Sequence, residues 1–266
     1  MPSLIAVELM QRLSLGSLLV ALVVMLSPPA RADGALPCEM PPDLTTPADP
    51  LVHTGEALAK RNGLDILALG SGSTVGDSGT GAGPALSYQT PQGSFPYKML
   101  EALETMRSTA HFHLTVKGAR NMSADAMLTI LKRELASHHY DLVLWQTGTV
   151  EVVHGLRPDS LRSTLQEGAD ATAQARADLV LIDPQFSRFL RANADVGPYE
   201  TVLQQMTGNP GVTLFHRLDL TQTWVGNGQI DLERVGRDQR DKAIGLLNAC
   251  LGQALARYVL TGAGLD

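Results

Sequence analysis

Five short apolar runs recur along the chain, each closing on small or polar residues: Leu64-Asp65-Ile66-Leu67-Ala68-Leu69, His113 to Val116, Tyr140 to Trp145, Asp178 to Ile182, and Val212 to Phe215. Runs of this length bounded by turn residues predict buried strands. Between them the pattern changes to helical spacing. Leu51 to Arg61 predicts a short helix, and Pro96 to Arg107 a longer one with proline in its first turn. Ser123 caps a segment whose apolar positions are Met127, Ile130, Leu131 and Leu135. Asp159 to Ala177 and Tyr199 to Met206 read as helices, and Leu232 to Leu260 as mostly helical. Strands alternating with helices predict an α/β domain with a parallel sheet covered on both faces.

The candidate site lies directly after the first strand. Gly70-Ser71-Gly72-Ser73-Thr74-Val75-Gly76 opens a glycine-, serine- and proline-rich stretch to Gly93, longer and more polar than a simple turn. Gln146 to Gly155 reads as a second loop facing the same place. A dinucleotide-binding turn is excluded, since that motif needs a helix at once and an acid about twenty residues on. Gly76-Asp77-Ser78-Gly79 looks like the nucleophile segment of trypsin-like proteases, but their all-β fold does not fit this pattern.

The amino terminus adds a compartment. Arg12 precedes an apolar run from Leu13 to Leu26 and then Ser27-Pro28-Pro29-Ala30-Arg31-Ala32, the form of a cleaved secretory signal with a core short for a membrane span. We therefore expect residues 1–32 to be a signal peptide, with Met10 an alternative start. Residues 33–62 would form an extended, proline-rich arm and short helix, and residues 63–266 one domain in a secreted or periplasmic protein with no membrane span after cleavage. The 27 acidic against 21 basic residues leave no basic field for nucleic acid. The chain has two cysteines, Cys38 and Cys250, and in an oxidising compartment they are expected to be bridged. Two distant cysteines and scattered histidines lack metal-ligand spacing, so no metal and no cofactor are expected.

Several segments together resemble the bacterial SGNH hydrolases, the GDSL-type esterases, and in particular exported members whose first block reads Gly-Ser-Ser-Ser-Thr. They are Ile66 to Thr74, Phe95-Pro96, Gly118 to Leu128, Asp141 to Thr149 with its Trp145-Gln146-x-Gly148-Thr149, Leu181 to Phe186, Leu214 to Trp224, and Ala249 to Ala256. The two cysteines also fall where these relatives have theirs. The resemblance implies a flavodoxin-like three-layer α/β/α sandwich with a mainly parallel five-stranded sheet. It also implies ester or acyl chemistry on lipids or glycans.

Carried over residue by residue, the same resemblance removes the chemistry. The nucleophilic serine falls on Gly72, the oxyanion-hole glycine on Asn121, and the oxyanion-hole asparagine on Val150. The Asp-x-x-His block falls on Gln239 and Lys242, or one residue over on Asp238 and Asp241, and the chain has no histidine after His216. Losing an oxyanion donor typically costs about 10²- to 10³-fold in rate, and losing nucleophile or base about a million-fold. The expectation is a pseudoenzyme that keeps the cleft as a binding surface for an acylated glycan or lipid, or for an envelope protein partner. Ser71, Gly72, Ser73, Asn121, Thr149 and Glu151 are its candidate ligand contacts. The competing reading is an active esterase or O-deacetylase in which Ser71 or Ser73 attacks with His154 or His216 as base. His111, His113, His138 and His139 sit at element ends and read as surface residues.

Overall fold

The computed structural model describes residues 37–76 and 91–265. The expected signal peptide and the motif residues Asp77, Ser78 and Gly79 lie outside them. A five-stranded, all-parallel sheet runs in the order β2-β1-β3-β4-β5. Its strands are β1 (Gly63–Gly70), β2 (His111–Gly118), β3 (Leu142–Gln146), β4 (Asp178–Ile182) and β5 (Val212–Phe215). The order reverses between β1 and β3, the switch point at which open α/β sheets place their ligands.

Alternation along the strands feeds two cores. Leu64, Ile66 and Ala68 of β1, Leu142 and Leu144 of β3, and Val180 and Ile182 of β4 join one buried cluster; Leu67, Leu69, Val143, Trp145, Leu179 and Leu181 join the other. The first face is covered by α2 (Val52–Arg61), α4 (Phe95–Met106) and α11 (Arg240–Gly262), and the second by α5 (Ala124–Ser137), α7 (Pro158–Gln174) and α9 (Gly197–Met206). This is the three-layer α/β/α sandwich that the resemblance implies. A methyl on Gly252 of α11 would stand 2.5 Å from the Lys98 backbone carbon, so glycine is what lets α11 lie directly on α4.

Cys38 and Cys250 form a disulfide with a Cα–Cα distance of 5.9 Å, fastening the amino-terminal arm to α11 across 212 residues. Closing so long a loop restricts the unfolded chain by about 5 kcal/mol in the loop-entropy description. The arm is held further by Trp224, whose Nε1 donates to the Glu39 carbonyl at 2.6 Å. It is not wholly extended, because Pro42–Thr45 forms a turn of helix, α1.

Two stretches read as loops contain helices. Gly72–Val75 is a single turn, α3, closed by Gly76 at φ 76°. Thr149–His154 forms α6 because Gly148, at φ 93°, turns the chain and Glu151 returns its carboxylate to the Gly148 N–H, the reciprocal half of a capping box. Arg188–Asn193 (α8) and Arg217–Gly226 (α10) are also helical, without the apolar spacing that would mark them in sequence. The last helix begins at Arg240 rather than Leu232.

Candidate active-site cleft

The carboxyl ends of all five strands converge on one cavity of about 500 Å³. Ser71 follows β1, Arg120 and Asn121 follow β2, Gln146 ends β3, Gln185 follows β4, and Arg217 follows β5. The volume lies within the ordinary range for small-molecule sites, about 300 to 1,000 Å³.

Its floor is a hydrogen-bonded knot. Gln146 is buried, and its Oε1 draws in the first-block loop: it accepts from the Ser71 N–H at 3.2 Å, from the Ser71 and Ser73 hydroxyls at 3.3 and 3.4 Å, and from the Thr74 hydroxyl at 3.1 Å. Ser73 Oγ also accepts from Arg217 Nη1 at 3.3 Å. Gly72, on which the resemblance places the nucleophilic serine, heads α3 between the two serines and brings no side chain to the cavity.

Arg217 is the charge at the bottom of this knot. It is 2% exposed, its guanidinium stacks 5.9 Å over the Phe95 ring, and its Nε has no hydrogen-bond partner. Burial lowers its pKa to about 10, with Asp183 pulling the other way. Asp183 accepts from the Leu218 N–H at 2.8 Å in the first turn of α10 but forms no direct ion pair with Arg217. Burial pushes the Asp183 carboxyl up to about 8, against the Leu218 hydrogen bond and the Arg217 charge. A carboxyl with that affinity is mostly protonated at neutral pH, so it does not neutralise the guanidinium.

The remaining expected residues divide. Asn121, Thr149, Val150 and His154 line the cavity with Ser71, Gly72 and Ser73; Asn121 takes a left-handed backbone at φ 59°, and Thr149 Oγ1 is buried without a partner. Glu151 does not line it: the carboxylate is buried and spent on the Ala124 N–H at 2.6 Å, the Gly148 N–H at 2.9 Å and the Thr147 hydroxyl at 3.3 Å, which fits a loop-tying role rather than a ligand contact. Gln239 and Lys242 are exposed and outside the lining. His216 is also outside it, with Nδ1 3.7 Å from Asp219. His154 is exposed at the rim. Among the described residues no serine hydroxyl is hydrogen-bonded to an imidazole, so neither rescue pairing is assembled in this conformation.

Sequence reasoning assigns no role to Gln146, Asp183 or Arg217. Each stands at or just after the end of an apolar strand, and that position is the available signal. The apolar wall, with Phe186, Phe189 and Leu190 beside Val150 and Val153, comes from the α8 region and α6, which the sequence pattern does not resolve.

Residues 37–265 match the profile of the non-GDSL lipase-like family. No curated protein matches the sequence. Among solved structures the chain is similar to LAE5, an α/β hydrolase enzyme from the metagenome of Lake Arreo, Spain, with a TM-score of 0.53 and 14% identity over 71% of this chain and 96% of that one. It is similar to TesA, with a TM-score of 0.50 and 13% identity over 68% and 94%. It also resembles a two-domain esterase active on acetylated mannans, with a TM-score of 0.52 and 12% identity, covering 79% of this chain and 56% of that one. At such identities the likeness is one of fold.

Proposed function

The chain belongs to the non-GDSL lipase-like family, and from that premise we propose that it is an exported, catalytically silent member that binds an acylated glycan or lipid in the cleft where relatives would hydrolyse one. The observation that carries this reading is the floor of the cleft. By the family resemblance Gly72 takes the place of the attacking serine, and the flanking hydroxyls are engaged with Gln146 and Arg217 instead of an imidazole. Without a base the serine hydroxyl stays protonated at neutral pH and is a poor nucleophile. Val150 presents no donor to a developing oxyanion, which removes a second contribution of about 10²- to 10³-fold. The cleft itself persists, apolar along one wall and polar at its base, the make-up of a binding pocket.

The test is hydrolysis of p-nitrophenyl acetate by the purified chain beside Ser71→Ala and Ser73→Ala, with parallel titrations of acetylated glycans and acyl esters. The expected result is no turnover above buffer in any of the three proteins, with saturable binding of an acylated ligand. Turnover that disappears in either serine variant would establish a working esterase instead.

A further inference from the structure

The cleft carries a charge asymmetry that an ester ligand does not use. Among the described residues lining it there is no Asp or Glu, whereas Arg120, Arg217, Arg240 and His154 are all present, in a chain with a formal net charge of −6. At its base lies a guanidinium nine-tenths or more withdrawn from water, with Nε unpartnered. Leaving such a charge uncompensated is expensive, and its removal from water is repaid when an anion meets it with hydrogen bonds.

We propose that the cleft takes an amphiphile with a carboxylate head, a medium-chain fatty acid anion, seating the carboxylate on Arg217 beside Gly72 and the chain along Val150, Val153, Phe186 and Leu190. This deepens the ligand-binding reading above and rests on it. Gly72 and Arg217 both line the cavity, and Gly72 adds no side chain to it. A planar carboxylate matches the donor fork of arginine, and its single charge matches the one buried cation. An ester offers only neutral acceptors and leaves Arg217 uncompensated. The near-neutral Asp183 carboxyl adds little competing negative charge below pH 8. Phe189, 73% exposed, and Val153, 63% exposed, give the emerging chain an apolar rim.

Calorimetric titration of the whole chain at pH 7 with octanoate, methyl octanoate and octyl phosphate tests this. Octanoate should bind at least tenfold more tightly than its methyl ester, and Arg217→Gln should erase that preference. The acid-to-ester ratio on the unaltered protein needs no variant to fold. Equal or tighter binding of the ester overturns the carboxylate assignment and leaves the acyl-ligand reading standing. Tighter binding of octyl phosphate overturns the choice of head group. If no octyl compound binds, the proposal fails together with the lipid version of the reading beneath it.

Discussion

Two Asp–Arg pairs stand at opposite edges of the same sheet and are treated in opposite ways. At the amino edge Asp141, just before β3, is gripped by Arg61 Nη2 at 2.5 and 2.6 Å, by the Asp65 N–H at 2.9 Å and by His139 Nε2 at 2.9 Å. Arg61 is half-exposed; partial burial works against its charge, yet Asp141 holds its pKa above the ordinary value. At the carboxyl edge Asp183, just after β4, and Arg217, just after β5, are both buried and not directly joined, and their affinities are displaced toward the neutral forms. The first pair closes its hydrogen bonds on itself and serves the fold. The second leaves one donor of a cavity-lining arginine buried without a partner, a cost in stability.

The sharpest way to break this contrast is at the amino edge. Asp141→Ala removes the acceptor of a backbone N–H and of a guanidinium, and should lower the unfolding free energy by about 3 kcal/mol, discounted from larger buried-pair values because Arg61 keeps contact with water. Urea denaturation checks it. A loss below about 1 kcal/mol would mean that this pair is no more structural than its counterpart.

The pH dependence should run through the carboxyl edge. Asp183 binds its proton up to about pH 8 in the folded chain but releases it near pH 4 when unfolded, so the folded state holds more protons between those values. Stability attributable to this group is therefore full at low pH and falls as pH rises through that window. The charged neighbours that set its affinity are Arg217, which lowers it, and Asp219 and Glu200, which raise it. Between about pH 5 and 8 the unaltered chain should lose about 3 to 4 kcal/mol more than Asp183→Asn, measured by urea midpoints across the range. Parallel pH curves for the two proteins would place the Asp183 titration near its ordinary value.

Legibility in the sequence divides along the same line. Strands β1, β3, β4 and β5 are legible because they are buried and written largely in apolar residues, whereas the edge strand β2 is at most half-buried and shows only its Leu114–Val116 centre. The disulfide is legible from the cysteine count together with the signal-like form of the amino terminus. The serines of the first block, with Asn121, Thr149, Val150 and His154, are brought together by resemblance and do line one cavity. Glu151 misleads because proximity in sequence to Val150 says nothing about which way a helix turns its third residue, and here it turns into the capping box. Arg217 is invisible for a different reason. An arginine after a strand reads as an exposed element end, and only the fold that brings β5 and α10 under the first-block loop removes it from water.

The smallest expected effect has the most to say about the contrast, because its sign is opposite to that at the amino edge. Arg217→Met keeps an unbranched chain of similar reach to pack on Phe95 while deleting the buried charge. It gives up one hydrogen bond to Ser73, worth about 1 kcal/mol net, and removes the desolvation cost of a guanidinium whose neighbouring carboxyl is mostly neutral. The balance should be a gain of about 1 kcal/mol in unfolding free energy at pH 7, read by urea denaturation. The gain should shrink as pH rises past about 8, since Asp183 then becomes the charge left without its compensating cation. A loss of about 2 kcal/mol or more at pH 7 would show that Arg217 stabilises the resting protein. The two edges of the sheet would then differ in burial and not in purpose.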